Sequence, residues 1–145
     1  MEQLLSGRHA LTCWEKNLED GSESVPLEQA AVDRDFVIFA LPAIPHGELA
    51  ARIQDHIPAH CICLSIAKGL DEQGRTPAAV LAGTLGPTGR FGMLYGPMIA
   101  EELRAGRPGF ADVGTTQPEV FERTRELFAG APLYLRHTTD VTGVS

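Results

Sequence analysis

The chain is short of the features that mark several broad classes of protein. It carries three cysteines in 145 residues, Cys13, Cys61 and Cys63, an odd number at irregular spacing, which argues against a disulfide framework. Positive charge is scarce as well. Twelve Lys and Arg stand against nineteen Asp and Glu, a net charge of −7, and such a field repels phosphate backbones and anionic membrane surfaces. Nucleic acid and membranes are therefore not expected partners, although a local cationic pocket for a small anion remains open. No apolar run approaches the roughly 20 residues that a membrane span requires. The opening "MEQLLSGRHA" has an acid at position 2 and no long apolar stretch, unlike a secretory leader, so the expected location is the cytoplasm. Tandem repeats, low-complexity tracts and interdomain linkers are also missing.

What is present suits one globular domain: 43% hydrophobic and 21% charged residues over a length that can bury a core. Cys61 and Cys63 form C-x-C within the apolar stretch "HCICLSI", which on a strand turns both thiols to the same side. The nearest further ligands, His56 and His60, lack metal-ligand spacing, so both cysteines are expected as core thiols and no metal site is expected.

Strand-type and helix-type segments alternate along the chain. "HALTCW" (9–14), "DFVIFALP" (35–42), "HCICLSI" (60–66), "RFGMLYG" (90–96), "GFADVGT" (109–115) and "PLYLRH" (132–137) read as strands, the longer apolar runs as strands covered on both faces. Between them "PLEQAAVDR", "HGELAARIQDHI", "TPAAVLAGTL", "PMIAEELRAG" and "QPEVFERTRELF" read as helices. Leu49, Ile53 and Ile57 fall four apart on one helical face, Pro26 and Pro97 suit helix starts, and Gly106 suits a helix end. This alternation predicts an α/β fold, an open parallel sheet with helices on both faces.

Such sheets take their ligands beyond the carboxyl ends of the strands. "SIAKG" places Lys68 there, a point charge suited to a phosphate or to polarising a carbonyl oxygen, while Gly69 serves as a turn residue with positive φ. "YGPMIAEE" repeats the geometry one strand later: Gly96 permits close backbone approach and Pro97 fixes the first helical turn. Glu101 and Glu102 suit the early helix, where carboxylates offset the dipole. A nucleophilic site built on Ser65, His60 and Asp71 is disfavoured, because no G-x-S-x-G elbow is present and nothing orders the three residues.

S-x-x-K-G followed by G-P-x-x-A-x-E in consecutive strand-helix units resembles the N-terminal domain of NAD(P)-dependent glycerol-3-phosphate dehydrogenase. "HALTCWEKN", "DFVIFALPA", "IAEELRAGRPGFADVG" and "LYLRHTTDVTGVS" extend the resemblance, in order, over nearly all of residues 1–145. It implies a Rossmann-like domain, NAD or NADP as cofactor, and hydride transfer between NAD(P)H and glycerone phosphate or sn-glycerol 3-phosphate, within glycerol-3-phosphate metabolism and phospholipid biosynthesis. It assigns Lys68 to both cofactor and substrate, Gly96 and Met98 to substrate, Ala100 to cofactor, and Lys16 to the adenosine ribose, where a basic residue suits the 2′-phosphate of NADP. Met98 replaces the small hydroxyl residue usual in the family.

The resemblance also implies missing pieces. Residues 1–145 contain no G-x-G-x-x-G turn, whose glycines admit a pyrophosphate to a helix N-terminus. By the same comparison Met1 falls inside the helix after that turn, residues 17–26 shorten a family connection, and the helical substrate domain with its proton-transfer lysine would follow Ser145. The expectation is one partial dinucleotide-binding domain, inactive alone, whose open sheet edges leave it marginally stable or make it borrow a strand by self-association. A non-catalytic remnant or binding module derived from that domain is the alternative, and other dehydrogenases sharing the open sheet compete with both.

Overall fold

The structure, a computed structural model, describes residues 1–17, 19–97 and 100–143. Five strands form one sheet in the order β1 (Phe36–Phe39), β2 (Ile62–Ser65), β3 (Arg90–Tyr95), β4 (Gly109–Gly114) and β5 (Leu133–Thr138). Among the described residues six helices accompany it: α1 (Glu2–Leu5), α2 (Leu27–Ala31), α3 (His46–Ile53), α4 (Pro77–Leu85), α5 (Ala100–Arg104) and α6 (Pro118–Leu127).

Alternation along the strands builds two cores, one on each face. On one side Ile62 and Leu64 of β2, Leu94 of β3 and Val113 of β4 meet Leu4 and Leu5 of α1 and Val120 and Leu127 of α6. On the other side Phe39 and Cys63 meet Leu27 of α2, Leu49, Ala50 and Ile53 of α3 and Leu81 of α4. Successive strand residues thus serve opposite cores, and helices cover both faces as the apolar runs predict.

Local signals set several element ends. Pro77 opens α4 behind Thr76, whose Oγ1 accepts the Ala79 N–H at 3.2 Å, and Gly86 closes it at φ 70°. α3 ends at Ile53, four residues short of the predicted Ile57, and the chain continues through turns to Pro58. Pro58 cannot extend a helix and disfavours helical backbone in the residue before it.

Two sequence expectations need correction. β1, β2 and β3 are parallel, as are β4 and β5, but β4 runs antiparallel to β3, with Tyr95 opposite Asp112. The sheet is mostly parallel. The five residues of α5 span about 7.5 Å, whereas the six residues of β3 span about 20 Å. That helix alone does not return the chain to the starting end of β3, and β4 begins beside the end at which β3 finishes.

His9–Trp14, expected as a strand, belongs to none. A run becomes a strand only where a neighbouring backbone pairs with it, and the sheet order has no strand beyond β1. The run instead carries the chain from one face to the other. His9 Nε2 lies 2.8 Å from the Leu127 carbonyl beside the first core, while Trp14 packs against the second.

Candidate functional site at the carboxyl ends of β2 and β3

β2 and β3 are parallel with Ser65 beside Met93, so the residues that follow them emerge together. Lys68 and Tyr95 meet there, with the lysine Nζ 4.9 Å from the centroid of the tyrosine ring. Gly69 follows at φ 93°, the left-handed conformation a glycine takes without cost. The loop is then closed by Asp71, whose Oδ1 accepts the N–H groups of Gln73 (2.9 Å) and Arg75 (2.8 Å) and whose Oδ2 accepts from Arg75 Nε at 2.8 Å. The backbone bond from Arg75 is the main cause holding the Asp71 carboxyl below its ordinary range.

A buried clasp fixes the other end of the loop. His46, fully buried at the start of α3, places Nδ1 3.0 Å from the Pro42 carbonyl and Nε2 2.8 Å from Ser65 Oγ. A carbonyl only accepts, so the proton sits on Nδ1 and the Ser65 hydroxyl donates to Nε2. Ser65 Oγ in turn accepts the Ala67 N–H at 3.1 Å. The turn after β1 is thereby tied to the residue just before Lys68. Burial holds the imidazole below its ordinary value, keeping it neutral.

The remaining candidates are placed differently. A Cβ on Gly96 would lie 2.3 Å from the Phe110 carbonyl oxygen and 2.8 Å from Ala111 Cα, so the close approach of β4 demands a glycine there. Met98 lies outside the described residues. Ala100 is the first residue of α5. Lys16 is exposed in a loop, paired by a lone bridge with Glu23. Glu23 accepts from Trp14 Nε1 (3.4 Å) and the Leu27 N–H (3.2 Å), and Arg52 of α3 spans Glu23 (2.6 Å) and Glu28 (2.8 Å). The Arg52 guanidinium lowers the Glu23 carboxyl to about 2. The structure therefore joins "SIAKG" to "YGP", and sets Lys16 on a separate, ion-paired loop.

Sequence reasoning missed His46 and Tyr95. His46 stands three residues before Leu49 and seven before Ile53, the spacing of the buried helical face, and Tyr95 extends the Phe91–Met93 alternation to the strand end. Ser65, His60 and Asp71 do not assemble: their partners are His46, Asp35 (3.4 Å) and Arg75. Cys61 and Cys63 are both buried. Among the described residues no three His, Cys, Asp or Glu side chains stand close enough to hold a metal ion, and no helix is long and apolar enough to cross a membrane.

Residues 17–120 match the family model described as "NAD-dependent glycerol-3-phosphate dehydrogenase N-terminus". The chain is 30% identical over 129 residues to glycerol-3-phosphate dehydrogenase (NAD(P)+) of Teredinibacter turnerae, covering 88% of this chain and 37% of that protein. It is 31% identical over 116 residues to the same enzyme of Sinorhizobium fredii, covering 79% and 34%. The chain thus spans about a third of the length of the curated relatives it matches. Among solved structures, glycerol-3-phosphate dehydrogenase from Coxiella burnetii superposes with a TM-score of 0.70 at 21% identity, covering 81% of this chain and 36% of that one. The strand-end lysine, the Y-G-P turn beside it and these matches together make the chain a member of the NAD-dependent glycerol-3-phosphate dehydrogenase N-terminal domain family.

Proposed function

We propose that residues 1–145 form one nucleotide-domain unit of an enzyme moving a hydride between NAD(P)H and glycerone phosphate or sn-glycerol 3-phosphate. Lys68 carries the reading. It stands at the carboxyl end of β2, where open α/β sheets take ligands, and among the described residues its ammonium meets no carboxylate, only the Tyr95 ring. A charge so placed suits a substrate carbonyl oxygen and the phosphate near it. Gly96 and Met98 are proposed along the substrate, and Ala100 and Lys16 toward the cofactor.

The residues fit one end of a dinucleotide better than the other. A bound nicotinamide cofactor supplies the hydride, and Lys68 suits the nicotinamide and substrate end. The pyrophosphate wants free N–H groups at a glycine-rich helix start, yet the G-x-G-x-x-G turn is not in residues 1–145. The start of α4, the helix that follows β2, is already capped by Thr76. Residues 1–145 alone are therefore proposed to bind dinucleotide weakly and not to turn over. That mismatch is also what favours the second reading, a non-catalytic module keeping the sheet and a weakened anion site.

A titration with NADH, NADPH and sn-glycerol 3-phosphate, read by Trp14 fluorescence and calorimetry, tests the proposal. Saturable binding of at least one of them, weakened about tenfold in Lys68→Ala as the loss of a charge-assisted bond implies, is expected. No saturable response to any of the three overturns it and favours the non-catalytic module.

Self-association belongs to the same proposal. β1 pairs on one side only and is apolar throughout, Phe-Val-Ile-Phe, an edge of the kind that recruits a further strand. Sedimentation showing a monomer with a cooperative, high-temperature melt would remove this part. The three cysteines are free thiols, which fits the proposed cytoplasmic setting.

A further inference from the structure

The contact between Lys68 and Tyr95 has a partner of an unusual kind for an ammonium group: a neutral ring. Tyr95 is the last residue of β3 and is 39% exposed, so packing does not account for an aromatic residue there. The acid across from it on β4, Asp112, points to the same face. It is already held by Arg136 through two hydrogen bonds of 2.6 and 2.8 Å. Asp112 is thus committed elsewhere, and among the described residues Lys68 has no carboxylate partner.

A salt bridge at this position would fix the lysine but neutralise it. A ring face fixes it and leaves the charge for a ligand, because the quadrupole attracts the cation without supplying a countercharge. The observed 4.9 Å lies within the roughly 6 Å at which that attraction acts. The ring covers one side of the ammonium, so N–H donors on the other side remain directed at solvent or an incoming anion. Ser65 and His46 fix the backbone up to Ala67, Gly69 and Asp71 fix it beyond, and the Lys68 side chain is the flexible member left between them.

We propose that Tyr95 is a positioning residue for Lys68, holding the ammonium at the strand end, charged and open, for the phosphate or carbonyl oxygen of an anionic substrate. The inference rests on the proposed role of Lys68 as the ligand-binding group. Tyr95 acts through its ring face and not its hydroxyl, so phenylalanine should replace it and leucine should not.

Lys16 and Lys68 are the two lysines of the chain, which makes lysine-selective labelling a clean test on the whole chain. In 13C-lysine spectra the ε-methylene of Lys68 should resonate upfield of that of Lys16, from the ring current of Tyr95. The shift should persist in Tyr95→Phe and vanish in Tyr95→Leu. Affinity for sn-glycerol 3-phosphate, read at the same signal, should fall about two- to fivefold in Tyr95→Leu, the range expected of an exposed cation–π contact, and be restored in Tyr95→Phe. Absence of the upfield shift in the wild-type chain, or wild-type affinity in Tyr95→Leu, overturns the positioning role and leaves the ligand role of Lys68 standing. A Lys68 signal that shows the ring-current shift but does not respond to sn-glycerol 3-phosphate overturns the ligand role, and the positioning role with it.

Discussion

The two lysines stand on supports of different kinds. Lys68 follows a strand whose register with β3 is set by backbone pairing, and a fully buried Ser65–His46 pair holds the residues before it. Lys16 lies on a loop with a single bridge, and the anchor beneath it is the half-exposed ion cluster of Arg52, Glu23 and Glu28. One support is desolvated and neutral, the other solvated and charged. A desolvated hydrogen bond leaves an expensive vacancy when one partner is removed, whereas a solvated ion pair is replaced by water at little cost. The Lys68 support is therefore brittle and the Lys16 support forgiving.

Ser65→Ala tests the brittle side and carries the largest expected effect. It would leave His46 Nε2 and the Ala67 N–H without their buried partner, at a cost of about 1–3 kcal/mol. A drop in melting temperature of several degrees should accompany faster amide exchange in residues 66–70, with exchange in residues 14–24 unchanged. Equal loosening of both regions would show that the two supports are one.

Acid should separate the regions next. The buried His46 takes its proton less readily folded than unfolded. Below its ordinary value, about 6.5, the unfolded chain therefore binds more protons, and stability falls with falling pH. The contribution is full above about pH 6.5 and is lost as pH drops through the lowered folded value. Glu23, depressed to about 2 by Arg52, contributes stability that is full above its ordinary carboxylate range and is lost progressively from there as pH falls through about 2. Residue-resolved NMR on acidification should show the Pro42–Ala67 region changing first and the Glu15–Ser24 region later. The reverse order would contradict the assignment of a neutral, Nδ1-protonated His46.

How far each region was legible follows from the same physics. The emergence of Lys68 at the carboxyl end of a strand was visible because a buried strand announces itself by a continuous apolar run, and the residue after the run is fixed within one or two positions. Tyr95 and His46 carried periodic signals too, as the next member of a strand alternation and of a helical face. The reversed direction of β4 was not visible, because strand composition and alternation are the same in either direction. His9–Trp14 has strand composition, but a ladder needs a second backbone, and composition does not say whether one is available. Gly96 shows a related ambiguity, since the close neighbour that excludes a side chain is β4 and not a ligand.

The smallest expected effect belongs to Lys16→Ala. Its side chain is exposed, so stability should stay within about 0.5 kcal/mol of the wild-type chain. If the exposed ammonium meets the 2′-phosphate of NADP, affinity for NADPH should fall by no more than about fivefold, the ceiling for a solvated ion pair, while affinity for NADH should not change. Arg52→Ala should produce the same selective loss without removing the charge, because it frees the loop from α3. Parallel loss of both dinucleotides in Lys16→Ala would detach the lysine from the ribose phosphate. Wild-type discrimination in Arg52→Ala would show that the ion cluster holds the loop without placing its charge, leaving Lys68 as the lysine whose position the fold determines.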